Sequence, residues 1–322
     1  MDSPDPNHPR TVADLGEFAV IDRAVAGRVQ PGTTIIGPGD DAAVVRTPDG
    51  RVAVSADMLV QGRHFRFDWS TPAEVGRKAV AQNAADIAAM GARPTAFLVS
   101  LGFPRDTPVE VADGISAGIG DAAEELGAGV VGGDLVQADQ VVISVTVLGD
   151  LHGASPIRRS GAQPGDTVAV AGELGRSAAG LAALLAGSAD FPELSAVHRV
   201  PAPPYAAAWA AADAGAHAMT DVSDGLLADL GHICAASGVG MSLTRASLVV
   251  PPGLEDAATA LGRHHWDWVL TGGEDHGFAG TFAAGTALPI GWVAIGTVRS
   301  GAGIAIDGET WEGVGGWQSF SV

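Results

Sequence analysis

Apolar residues recur at helical spacing in DLGEFAVIDRAVAG (14–27), where Leu15, Phe18, Val20, Ile21 and Val25 form one stripe. The pattern changes in DAAVVRTPDGRVAVSADML (41–59), which reads as two strands around a turn at Pro48, Asp49 and Gly50. STPAEVGRKAVAQNAADIAAMGA (70–92) is the clearest helix: Ser70 or Thr71 can cap it, Pro72 suits its first turn and Gly91 its end. TAFLVSLGF (95–103) reads as a buried strand, and a helix over about 107–126 leads to the short strand GVV (129–131), followed by Gly132, Gly133 and Asp134. VVISVTVLGD (141–150) is another strand.

SPIRRSGAQPGD (155–166) is polar and rich in Gly and Pro, the composition of a boundary. Beyond it, strands (167–171, 240–244, 277–283, 291–298) alternate with Ala-rich helices (176–187, 204–214, 224–237). Both halves are therefore expected to be α/β. The organisation expected is a disordered N-terminus (1–12), an N-terminal domain (13–152) and a C-terminal domain (153–322).

The chain has 322 residues and a formal net charge of −19, which argues against a nucleic-acid groove and means that an anionic substrate needs cations held locally. Cys234 is the only cysteine, so neither an intrachain disulfide nor a cysteine-based zinc site can form. The polar start MDSPDPNHPR is unlike a signal peptide, and the longest apolar runs, such as SAAGLAALLAG (177–187), fall short of the roughly 20 residues of a membrane span. A cytoplasmic protein without a membrane partner is expected. Glycine is about 14% of the chain, 45 residues, against a usual share of roughly 7%.

Carboxylates gather where strands are expected to end and helices to start. Asp40 and Asp41 open a strand in GPGDDAAVV, Asp57 follows VAVSA, and Asp134 follows GVVGG. Asp221 and Asp224 lie in TDVSDG (220–225), Glu274 and Asp275 in TGGEDHG (271–277), and Asp86 shares a helix face with Asn83. Singly, each is accounted for as a turn residue or helix cap. As a set converging on one cleft they call for a cation, and Mg²⁺ is the hard ion usually held by carboxylates together with substrate phosphates. No G-x-x-x-x-G-K-[ST] or H-E-x-x-H is present, and Lys78 is the only lysine among 18 basic residues. Phosphates would then rest on Mg²⁺, glycine-loop N–H groups and arginines, with Arg158 and Arg159 as candidates.

GEF, GDDAAV, VSADMLVQGRHF, AVAQNAADIAAMGARP, VGGD, RRSGAQPGD, DVSDGLLADLGHI and LTGGEDH occur in that order between residues 16 and 320 or so. Together they resemble the thiamine-monophosphate kinase family of the aminoimidazole ribonucleotide synthetase-like superfamily. The resemblance implies a two-domain α/β fold, an N-terminal α/β dimerisation domain and a C-terminal α/β domain, in a homodimer. It implies transfer of the γ-phosphoryl of ATP onto the phosphate of thiamine monophosphate, giving thiamine diphosphate and ADP, the last step of thiamine diphosphate biosynthesis, with several Mg²⁺ ions.

Residue by residue, the resemblance implies metal positions at Asp40, Asp41, Ser55, Ala56, Asp57, Asp86, Asp134, Asp221 and Asp224; Ala56 stands where relatives often have Thr and can offer only its carbonyl. Gly133, Asp134, Arg159 and Ser223 match ATP positions, and His64 and Glu274 match substrate positions. The aromatic expected near the thiamine rings is Trp317, while strict spacing from the C-terminus gives Val314, and Ser319 replaces a His common in relatives. No general base is expected, because a phosphate monoester with a second pKa near 6 is already largely ionised at pH 7. Two other readings fit less well, another ATP-using superfamily enzyme and a non-catalytic nucleotide- or metal-binding module. A selenophosphate synthetase needs a reactive Cys or selenocysteine near a Lys early in the chain. A hydrogenase-maturation scaffold needs a C-terminal Cys, and this chain ends SFSV.

Overall fold

A computed structural model describes residues 10–38, 42–311 and 315–317. The chain forms two compact units, Met1–Ala84 with Pro94–Asp150, and Ala85–Arg93 with Leu151–Val322. Among the described residues no helix is long and apolar enough to cross a membrane.

The first unit carries α1 (Val12–Leu15), α2 (Glu17–Val25), β1 (Thr34–Ile36), β2 (Val44–Val45), β3 (Ala53–Val60), most of α3 (Pro72–Ala89), β4 (Arg93–Phe103), α4 (Val109–Glu125), β5 (Gly129–Gln137) and β6 (Val142–Asp150). The single helix expected over 14–27 is two, because Gly16 at φ 78° interrupts it. The two strands expected around Pro48–Gly50 exist but do not pair with each other. β2 pairs with β1, and β3 pairs antiparallel with β6, Ala56 opposite Thr146. α3 starts with a reciprocal cap: Glu74 N–H donates to Thr71 Oγ1 and Thr71 N–H to Glu74 Oε2.

The main sheet has the order β3-β6-β4-β5. Ile143, Val145 and Val147 of β6, Leu59 of β3 and Leu135 of β5 point to one, buried face. The alternate residues form an open face on which Val54, Met58, Leu98 and Val136 are 58%, 48%, 38% and 55% exposed.

The second unit carries β7 (Thr167–Ala171), α5 (Arg176–Leu185), α6 (Pro192–Arg199), α7 (Tyr205–Asp213), β8 (Ala218–Asp221), α8 (Leu226–Ser237), β9 (Gly240–Leu243), α9 (Leu254–Leu261), α10 (His265–Thr271), β10 (Phe278–Phe282), β11 (Trp292–Arg299), β12 (Ile304–Ile306) and β13 (Glu309–Thr310). Its sheet has the order β13-β12-β9-β11-β7-β10-β8, antiparallel except for β12 beside β9. Both faces are covered. Val168 and Val170 join a core with Leu226, Leu230, Leu254 and Leu270. Ala169 and Ala171 point the other way, toward Ala208 and Ala211 of α7 and Ala85 and Ala88 of α3. Trp209 Nε1 donates to Ala92 O at 2.9 Å, so the end of α3 belongs with this unit.

Candidate active site

Asp57 does not follow a strand; it lies inside β3. The strand ladder holds its backbone, and its exposed side chain accepts from Gln82 Nε2 at 2.5 Å. Its own N–H donates to Asn83 Oδ1 at 3.0 Å, and Asn83 Nδ2 is tied to Ala79 O at 2.8 Å. The buried polar stretch of α3 thus fixes the position of Asp57. Ser55, two residues earlier, shares its face and is half-buried; Ala56 points to the open face and is exposed. Asp86, on the same helix as Gln82 and Asn83, is half-buried.

His64 sits in the turn after β3. Its Nδ1 accepts the Val60 N–H at 3.0 Å, and a backbone N–H can only donate, so the proton of the neutral ring is on Nε2. The carbonyl of His64 accepts from Lys78 Nζ at 3.1 Å. Lys78 is 1% exposed, and nothing in the pattern around it marks it out except that it is the sole lysine. That rarity was the available signal.

Asp134 also lies within a strand, because β5 continues through Gly132 and Gly133 instead of stopping at Val131. A register shift opposite Phe97 and Leu98 of β4 accommodates the glycines. A Cβ on Gly133 would stand 1.8 Å from Val99 O, so only glycine lets β4 and β5 run side by side there. Asp134 is exposed, with Oδ1 accepting the Leu135 N–H at 2.9 Å. A cavity of about 940 Å³ takes Val130 through Leu135 into its wall, with Ser100 and Thr146. Asp40 and Asp41 lie outside the described residues.

In the second unit Asp221 ends β8, is 2% exposed, and lies 3.1 Å from His276 Nδ1 through its Oδ2. The turn Val222–Gly225 then leads into α8. Asp229, in the first turn of α8, reaches back and accepts the N–H groups of Asp224 and Gly225 at 3.1 and 3.0 Å. Burial pushes the Asp229 carboxyl up to about 7, and the neighbouring Asp221 and Asp224 charges add to the shift against the two N–H donors. Oxygen and nitrogen donors of Asp224, Asp229 and His232 fall within 4.8 Å of one another. Two carboxylates and an imidazole could hold a divalent cation, which would ease the charge repulsion that adds to burial at Asp229.

The GGEDH loop is fastened to this turn. Glu274 N–H donates to Ser223 O at 2.8 Å and His276 N–H to Val222 O at 2.9 Å. Gly225, at φ 128°, faces Thr271 O so closely that a Cβ would stand 2.7 Å away. Trp317 backbone N–H donates to Asp224 O at 2.9 Å, which ties the main chain of this exposed residue to the same turn. Val314 and Ser319 lie outside the described residues.

Arg159 and Arg158 part company. Arg159 Nε donates to Thr220 Oγ1 at 3.3 Å, next to Asp221. Arg158 lines a separate cavity of about 640 Å³ with Arg93 and Trp209. Sequence reasoning missed Gln82, Asn83, Asp229 and His276 as supports, because each acts through a partner distant in sequence or across a turn.

Residues 39–151 match the family described as AIR synthase related protein, N-terminal domain, and residues 163–275 its C-terminal domain. A Mycobacterium tuberculosis protein named thiamine-monophosphate kinase is 57% identical over 312 residues, 96% of this chain and 93% of its own. The chain belongs to the thiamine-monophosphate kinase family. As a member it is a phosphotransferase with the two-domain α/β architecture of that family. The Corynebacterium glutamicum relative of the same name is 44% identical over 321 residues, covering 96% of this chain and 95% of its own. Among solved structures, AaThiL complexed with AMPPCP and TMP superposes with a TM-score of 0.80 at 30% identity, covering 95% of this chain and 98% of that one. Escherichia coli HypE, a hydrogenase maturation protein, superposes with a TM-score of 0.74 at 19% identity, covering 94% of this chain and 97% of its own, a likeness of fold alone.

Proposed function

We propose that this chain transfers the γ-phosphoryl group of ATP directly to the phosphate of thiamine monophosphate. An acceptor phosphate oxygen forms the new bond to the γ-phosphorus, in line with the breaking bond to the β-phosphate oxygen, and ADP leaves. The observation that carries the reading is the likeness, over nearly the whole chain, to proteins named for this reaction. The solved relative that holds both an ATP analogue and TMP supports it.

The roles divide by unit. In the first, Ser55, the Ala56 carbonyl, Asp57 and Asp134 are the proposed Mg²⁺ ligands, joined by Asp40 and Asp41. Gly133 and Asp134 present backbone and carboxylate to the nucleotide. In the second, Asp221 and Asp224 are proposed ligands, Arg159 and Ser223 contact ATP, and Glu274 and Trp317 hold the thiamine end. Asp86 completes the ligand set. Bound Mg²⁺ would neutralise charge on both phosphates and favour approach of two polyanions.

His64 contributes a donor, not a base. With Nδ1 occupied by the Val60 N–H, its Nε2–H is suited to hold an acceptor phosphate oxygen. The test is incubation of the pure protein with ATP, Mg²⁺ and thiamine monophosphate, with thiamine diphosphate as the expected product. In the same assay His64→Asn raises KM for thiamine monophosphate about tenfold or more, the worth of a hydrogen bond to a charged group, and changes kcat less. A kcat loss of about 10² with disappearance of the acid limb of the pH profile would instead make His64 a general base.

We further propose that the open sheet face carrying Val54, Met58, Leu98 and Val136 is covered by a second copy of the chain. Exposed apolar residues gathered on one sheet face are costly in a monomer. Sedimentation should give a dimer for the wild type and a monomer for Val54→Asp; a monomeric wild type sinks the idea.

A further inference from the structure

Glu274 and His276 both have left-handed backbones, at φ 63° and 53°, although neither is glycine. Such residues persist where surrounding contacts over-determine them. Three sets of contacts do so here. The backbone N–H groups of Glu274 and His276 are tied to Ser223 O and Val222 O. His276 Nδ1 lies 3.1 Å from Asp221. Between them, the Asp275 carboxylate turns the opposite way, into the start of α5, accepting Gly175 N–H at 2.5 Å and Ser177 N–H at 2.8 Å.

This is an unusual way to cap a helix. The N-cap position of α5 is Gly175, which has no side chain to offer, and the acceptor arrives from about 100 residues away. The carboxylate is buried, and desolvation pushes it up to about 7 against the lowering effect of the two N–H groups. Isolated capping can be done by a local Ser, Thr or Asn at no such cost. A second strut starts from the same turn. Ser177 Oγ lies 3.1 Å from His198 Nδ1, and that nitrogen is 3.5 Å from Glu274 Oε2. The beginning of α5 therefore holds Asp275, and it sets buried His198 within 3.5 Å of the Glu274 carboxylate.

We propose that Asp275 is a positioning residue of the phosphotransfer site: anchored on the first N–H groups of α5, it holds the Glu274–His276 segment in its left-handed course, aiming Glu274 at the acceptor and His276 at Asp221. The inference rests on the acceptor-binding role proposed above for Glu274. Asp275 itself touches no substrate. Asp275→Asn keeps an acceptor for one of the two N–H groups and sets its NH₂ against the other, which loosens the segment, while the Glu274 carboxylate remains present but misaimed.

The test is a double-mutant cycle in the full-length protein, reading KM for thiamine monophosphate and for ATP, kcat, and the thermal midpoint. Expected are a rise of about tenfold in KM for thiamine monophosphate with Asp275→Asn, and less than twofold for ATP. Glu274→Gln raises the same KM, and Asp275→Asn added to Glu274→Gln raises it little further, because the first acts through the second. Should Asp275→Asn not yield folded protein, Asp275→Ser keeps one acceptor at the start of α5 and is read the same way. Equal changes in both KM values, additive changes in the double variant, or a lowered thermal midpoint with unchanged KM values overturn the proposal and leave a simple cap. An unchanged KM in Glu274→Gln overturns the acceptor role of Glu274 itself, and the positioning role with it.

Discussion

Asp57→Asn and Asp134→Asn are each expected to remove about 10²- to 10³-fold of turnover while the protein stays folded. Both side chains are exposed, and neither is buried in a core. Asp57 accepts from the amide of Gln82. An Asn there can keep that contact through its own carbonyl oxygen, and the ladder between β3 and β6 does not depend on the charge. At position 134 the bond that the side chain makes to Leu135 N–H is likewise available to an amide. What an amide cannot replace is the anionic oxygen. A Mg²⁺ ligand of the same shape without the charge forfeits several kcal/mol of stabilisation of the transferring phosphates. The measurement is kcat at several Mg²⁺ concentrations, with circular dichroism as the fold control. Near-normal turnover at ordinary Mg²⁺ in either variant removes that residue from the ligand set.

Arg159→Lys is expected to lower kcat/KM for ATP about 10- to 100-fold, while Arg158→Lys stays within about twofold of wild type. The charge is retained in both, so a purely electrostatic role predicts no difference between them. Guanidinium can make a forked pair of bonds to a phosphate that ammonium cannot, each bond to a charged group being worth about 1.5–3 kcal/mol. The structure separates the two arginines: Arg159 Nε donates to Thr220 Oγ1, whereas Arg158 lines the cavity it shares with Arg93 and Trp209. Steady-state kinetics on both variants decides it. A larger loss in Arg158→Lys would place the phosphate contact one residue earlier.

Much of the local structure was legible because it is encoded locally. The apolar alternation of 141–150 and 167–171 and the capped helical pattern of 70–92 became β6, β7 and α3 within a few residues. β8, with four residues, is too short for a period-two signal, and β12 and β13 are shorter still. The strand expected at 129–131 stops before Gly132 and Gly133, since glycine is a strand breaker in isolation. They lie inside β5 because the backbone of β4 comes too close for any Cβ at Gly133.

The sequence alone determined the family, through eight ordered motifs, and the identity of the charged groups available for phosphate and metal chemistry. Tertiary structure alone decided that β3 pairs with β6 and not with β2, which put Asp57 mid-strand against Gln82 and Asn83. It alone assigned the end of α3 to the second unit, and joined Asp275 to α5 across about 100 residues. The physical reason is range. Helical and strand periodicity reflects which side of an element is buried, and that is written in neighbouring residues. Strand partners and reach-across hydrogen bonds are chosen by the packing of whole elements, where side chains far apart in the chain must satisfy one another's buried polar groups.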